Sequence, residues 1–145
     1  MASEGTRTIP DLAALLRPSL LRLTRLIRNQ RVDMTVTLTQ LSAMATLSNC
    51  GAMSAGELAN RERVQPPSMT KVLANLEERG LVRRAAHPTD KRQAIIEITD
   101  AGLGLLDSER QSRDAWLSRR LAELTPQERA LLRDVIPVLD KLAGQ

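Results

Sequence analysis

The chain has 145 residues, 42% of them apolar and 26% charged, with a formal charge of +4, which suits one soluble domain and excludes wholesale disorder. It holds no Phe, no Tyr and one Trp, so it cannot grip single strands mainly by stacking bases on aromatic side chains. Cys50 is the single cysteine, which excludes an internal disulfide framework or a cysteine zinc cluster and points to a reducing compartment.

The opening MASEGTRTIP lacks an apolar signal region, and no apolar run has the length of a membrane span, so a cytoplasmic protein without membrane contact is expected. From Ile9 to about Arg31, Leu12, Leu15, Leu16, Leu20, Leu23, Leu26 and Ile27 recur at steps of three and four and predict a long amphipathic helix. Pro18 should kink or break it. The run TLTQLSAMATLSNCG predicts a short buried helix with Thr39 as N-cap and Gly51 as its stop.

Ser54 followed by Glu57 has the spacing of a capping box and opens a helix of about two turns, over by Val64. QPPSMTKVLANLEERG predicts a helix from about Pro67 to Gly80. Its Met69, Val72, Leu73 and Leu76 share one arc, while Thr70, Lys71, Ala74, Asn75 and Glu78 point away. LVRRAA and QAIIEIT are the β-rich runs, joined by HPTDKR, and predict a hairpin with a basic tip. A long helix from Asp100 to about Leu124 and a final one capped by Thr125 and striped by Leu131, Leu132, Val135, Ile136, Leu139 and Leu142 complete the chain.

Two short helices followed by a hairpin form the pattern of a winged helix-turn-helix, whose second helix enters a DNA major groove. The segment Arg61 to Ile98 carries eight Arg or Lys against five Asp or Glu, a field compatible with an anionic partner. A rigid two-strand arm could carry Lys91 or Arg92 into a narrow, electronegative minor groove. The two leucine stripes exceed what one small core can cover, which predicts a homodimer with recognition helices about one DNA turn apart.

The run PPSMTKVLANLEERGLVRRAAHPTDKRQAIIEITDAG resembles the recognition helix, wing and post-wing helix of the multiple antibiotic resistance regulator (MarR) family. The resemblance implies a mainly α (α+β) fold in a single domain over residues 1–145. Dimerisation helices at about 9–33 and 100–145 flank a winged helix-turn-helix at about 39–99, with its wing at about 82–98. It also implies a homodimeric regulator of transcription on double-stranded DNA, often a repressor released by a small anionic or aromatic ligand or by oxidation. Ser68, Thr70, Lys71 and Asn75 match positions that read bases, with Gln65 at the entry, and Asp90 and Arg92 match a wing pair in which the carboxylate holds the arginine.

Lys71 could meet phosphate or donate to a guanine edge, Thr70 and Asn75 could bind phosphate or base edges, and Thr39 and His87 are candidate phosphate contacts. His87, the only histidine, has no neighbouring ligand set for a metal and reads as a turn residue of the wing. Cys50 lies away from the family's redox position, the chain lacks the orienting tyrosines, and a small buried inert thiol is expected. Trp116 reads as packing, or as the wall of a ligand pocket. With no GxSxG, phosphate loop, metal-ligand pair or nucleotide fingerprint, neither a catalytic site nor a cofactor is expected. The alternative is a winged-helix protein-interaction module without sequence-specific DNA binding.

Overall fold

The elements run α1 (Ile9–Arg28), α2 (Leu38–Cys50), β1 (Met53–Ser54), α3 (Ala55–Glu62), α4 (Pro66–Glu78), β2 (Val82–Ala86), β3 (Ala94–Ile98), α5 (Asp100–Ala122) and α6 (Pro126–Leu142). This computed structural model describes residues 8–144; the opening residues 1–7, part of the stretch read for a signal region, lie outside them. The protein is mainly helical with one small antiparallel sheet, in strand order β1, β3, β2. Among the described residues no helix is long and apolar enough to cross a membrane.

Two compact units are formed, one by Arg31–Gln111 and the other by the described residues of Met1–Gln30 and Ser112–Gln145. The Arg31–Gln111 unit holds the core. Leu41, Met44 and Leu47 of α2, Leu58 and Ala59 of α3, and Met69, Leu73 and Leu76 of α4 are buried with Met53, Val82 and Ile96 of the sheet. Val72, the fourth residue of the predicted α4 arc, is partly buried against this cluster. In the other unit neither α1 nor α6 buries any residue, and Leu12, Leu15, Leu131 and Ile136 are exposed.

Several boundaries differ from expectation for physical reasons. The N-cap of α2 is Thr37, not Thr39, because Gln40 three residues on completes a reciprocal capping box with it, leaving Thr39 exposed inside the first turn. Pro66 rather than Pro67 takes the first position of α4. Helix α1 continues through Pro18 without a break, although proline offers no N–H to the carbonyl of Ala14. Two-residue β1 was not expected at all; Met53 pairs with Ile96 and Ser54 with Ile95, so one short stretch serves both as a strand and as the N-cap of α3. Cys50 is exposed, not buried, because the last turn of α2 carries it outward beside Arg61, whose Nη1 lies 3.7 Å from Sγ.

Helix α5 enters this unit through Gly102. A Cβ there would lie 2.3 Å from the Leu81 carbonyl oxygen and 2.7 Å from Ile98 Cγ1, so only glycine lets the helix approach the hairpin base. Gly102→Ala should therefore cost about 2–3 kcal/mol through overpacking against a backbone atom that cannot rotate away. The shift in urea midpoint at constant slope measures it, and an unchanged midpoint would show that the helix relaxes freely.

Candidate nucleic-acid interface

Helix α3 starts where Ser54 Oγ accepts the Glu57 N–H at 3.2 Å, but the reciprocal half of the expected box is absent. The Glu57 carboxylate pairs with Arg61 one turn on instead, at 3.3 Å. The helix ends in a left-handed residue, Arg63, with φ 53° and ψ 42°. Its N–H donates to the Asn60 carbonyl and that of Val64 to the Ala59 carbonyl, the paired bonds of a helix-terminating turn that usually contains glycine.

Two residues later Gln65 opens α4 without a side-chain capping bond. Pro66 and Pro67 remove two of the N–H groups that would otherwise face outward at a helix start, so contacts at this end must come mainly from side chains. Burial of Met69, Leu73 and Leu76 turns Lys71 and Ala74 outward, with Thr70, Asn75, Ser68 and Gln65 also exposed. Thr70 Oγ1 donates to the Pro66 carbonyl at 3.0 Å, which commits its proton and leaves its lone pairs to accept.

Asn75 is less available than its sequence position implied. Its Oδ1 accepts from Gln40 Nε2 at 2.8 Å, leaving its amide N–H groups for an outside partner. Gln40 meanwhile accepts the Thr37 N–H at 2.9 Å, so one buried amide ties the start of α2 to the outward side of α4. Glu77 at the far end of α4 receives Arg84 of β2 at 3.0 Å, which removes a cation from the hairpin's field and a carboxylate from the helix's.

The hairpin pairs Val82 with Ile98 through Ala86 with Ala94. Its tip is held by its own side chains: His87 Nδ1 accepts the Asp90 N–H at 3.0 Å and the Thr89 N–H at 3.2 Å, which places the ring proton of the neutral imidazole on Nε2. Asp90 Oδ1 accepts the Arg92 backbone N–H at 3.0 Å. The expected carboxylate–guanidinium pair is thus absent here; Asp90 shapes the turn, as aspartate does two residues before a backbone donor, and leaves the Arg92 side chain unheld. Lys91 and Arg92 are exposed.

The structure therefore gathers Gln65, Ser68, Thr70, Lys71 and Asn75 on one helix, and His87, Asp90, Lys91 and Arg92 at one hairpin tip, with Thr39 apart on α2. Within Arg31–Gln111 the remaining cations are mostly neutralised: Arg31 by Glu109, Arg61 by Glu57, Arg79 by Asp33, Arg83 by Glu97, Arg84 by Glu77 and Arg110 by Asp107. Among the described residues Arg63, Lys71, Lys91 and Arg92 have no carboxylate at ion-pair distance, and these are the cations that shape the local field.

Two supports escaped the sequence reading. Asp33, before α2, receives Arg79 of the α4 C-terminus at 2.9 Å. The Thr35 hydroxyl and then the Thr35 N–H hold its carboxyl below the usual aspartate value against desolvation, with a lesser lowering effect from Arg79. A lowered folded pKa means that its contribution is present at neutral pH and is lost as pH falls through that lowered value. Buried Glu109 accepts the N–H groups of Val32 and Asp33 at 3.2 and 3.1 Å and pairs with Arg31. Nothing in a charged residue on a charged helix marks it for burial. The Thr37-to-Gln40 spacing was a usable signal for Gln40.

No group of His, Cys, Asp and Glu among the described residues is arranged to hold a metal ion. The groove of about 580 Å³ between the hairpin tip and the start of α3, lined by Met53, Glu57, His87, Thr89, Ile95 and Glu97, has its two carboxylates already paired with arginines. Trp116 is half-buried, with the Arg120 guanidinium 5.5 Å from its ring centroid, an ordinary cation–π contact.

The sequence model of the MarR family matches residues 36–94, which span α2 to the start of β3. An HTH-type transcriptional regulator of Mycobacterium tuberculosis is 44% identical over 134 residues, covering 92% of this chain and 94% of the relative. A solved transcriptional regulator protein of Pseudomonas aeruginosa superposes with a TM-score of 0.83 at 32% identity, covering 95% and 99% of the two chains. A mutant of Staphylococcus aureus MepR, solved bound to an oligodeoxyribonucleotide, shares the fold with a TM-score of 0.71 at 18% identity, covering 90% and 97%.

Proposed function

The chain belongs to the MarR family of HTH-type, DNA-binding transcription regulators, and from that premise we propose that it acts as a cytoplasmic homodimer that represses from pseudo-palindromic operators and is released by a small ligand. The carrying observation is that Lys71 on the outward face of α4 and Lys91 and Arg92 at the wing tip are left without carboxylates while Arg79, Arg83 and Arg84 are paired. Such a pattern suits two-point docking: α4 in a major groove with its N-terminal half leading, and the wing on the backbone or in the adjacent minor groove. Gln65, Ser68, Thr70 and the free amide of Asn75 supply donors and acceptors for base edges, and Lys71 a point charge for phosphate or a guanine edge. Release by a small anionic or aromatic ligand rests on family membership alone, and requires a ligand that binds the DNA-bound and free conformations unequally.

Selection from a pool of randomised duplexes tests the reading. The recovered sequences should share a pseudo-palindrome with half-sites about 10 bp apart, centre to centre. Measured by fluorescence anisotropy, a selected duplex should bind at least about a hundredfold tighter than a scrambled one, equivalent to about 2.7 kcal/mol. Arg92→Ala and Lys71→Ala should each weaken binding about tenfold without altering oligomeric state, with a shallower salt slope wherever the side chain had neutralised a phosphate. A pool that converges on no motif would replace this reading with that of a protein-interaction module.

A further inference from the structure

Arg63 is the one non-glycine residue with positive φ among the described residues, and it occupies the turn between α3 and α4. A side chain there is disfavoured because Cβ crowds the following carbonyl, and glycine is the usual occupant of this position of a helix-terminating turn. The guanidinium offsets no part of that strain within the fold. Arg63 is exposed, its side chain makes no hydrogen bond, and no carboxylate lies at ion-pair distance among the described residues. With Lys71, Lys91 and Arg92 it completes the set of unpaired cations in Arg31–Gln111, and it stands two residues before Gln65, the N-cap of α4. That separation is at most about 7 Å of backbone, comparable with the reach of an arginine side chain.

We propose that Arg63 is a DNA phosphate contact: its guanidinium, projected from the turn, grips the backbone beside the groove that receives the N-terminal end of α4. The contact positions α4 without reading sequence, and the local strain is the cost of keeping a cation where glycine would fold better. The inference rests on the DNA-binding reading above.

The test compares Arg63→Gly and Arg63→Lys with the parent, on a duplex recovered by the selection and on its scrambled counterpart, across a salt series. Arg63→Gly should raise the thermal midpoint by about 3 °C, since it relieves the left-handed strain. It should weaken both duplexes by the same factor, about five- to tenfold, and lower the salt slope by about 0.9 for each phosphate that is no longer neutralised. Arg63→Lys should leave the midpoint near the parent's and keep the salt slope. A glycine variant that is stabilised but binds both duplexes like the parent, while Lys71→Ala binds them less well, would overturn the role of Arg63 and leave the DNA-binding reading standing. Weakening confined to the selected duplex would replace the phosphate contact with base reading and overturn the proposal as stated. A parent protein with no salt-sensitive duplex binding would overturn both.

Discussion

Glu109→Ala is expected to lower the stability of the protein by about 3–5 kcal/mol, a large share of what holds a domain of this size together. The carboxylate is 1% exposed, and truncating it strands two backbone donors and one buried cation. The Val32 and Asp33 N–H groups lose their acceptor, and the Arg31 guanidinium, itself 7% exposed, keeps a buried charge with no counter-ion. Carbonyl oxygens of Asp33 and Val36 still accept from Arg31, but neutral acceptors do not offset its charge. Glu109→Gln, which keeps an acceptor oxygen but no charge, should fall between parent and alanine. The double variant Arg31→Met with Glu109→Leu should recover part of the loss, because removing both charges together leaves neutral backbone groups unpaired, the N–H groups of Val32 and Asp33 and the carbonyls of Asp33 and Val36, but no buried charge.

Urea denaturation monitored by circular dichroism gives these differences as midpoint shifts at constant slope. The effect should extend to DNA binding, because the residues Glu109 pins include Asp33, whose carboxylate holds Arg79 at the C-cap of α4. A loss below about 1 kcal/mol for alanine would mean that water or a neighbouring donor replaces the carboxylate, and the ion pair would have to be read as incidental.

The contrast between α4 and Glu109 shows what the sequence made legible. Met69, Leu73 and Leu76 recur at helical spacing, and a strict period states which side of a helix is inside before any partner is known. The hairpin was equally plain, because its isoleucines and its Pro88–Asp90 turn are local signals. Long-range polar contacts leave no such trace. Gln40 reaches Asn75 across 35 positions and Glu109 reaches Val32 across 77, and neither residue type predicts burial. Asp90 is an intermediate case: it lies at the hairpin tip, but its partner is the backbone N–H of Arg92 rather than its guanidinium, a choice set by turn geometry that spacing alone does not fix. Arg63 was overlooked because a helix end is recognised in sequence by glycine, and here an arginine does that work.

Leu15→Glu combined with Leu131→Glu is expected to convert the protein to a monomer and to cost operator affinity at least about a hundredfold. In the single chain these side chains are 56% and 69% exposed, so each glutamate enters a solvated position and no buried charge is created within one protomer. The same carboxylates placed between two copies would be desolvated without partners, at several kcal/mol each, and two-fold symmetry repeats every substitution across the interface. The two effects separate cleanly: helicity and the urea midpoint of the monomer should survive, while sedimentation velocity at micromolar concentration should show the dimer gone. DNA binding should fall with it, because a single recognition helix on one half-site loses the second binding event that the linked pair makes intramolecular. A variant that still sediments as a dimer would place the interface away from the α1 and α6 leucines. A parent that is monomeric at the same concentration would remove the homodimer from the proposed function, and the exposed apolar stripes of α1 and α6 would then need a different partner to cover them.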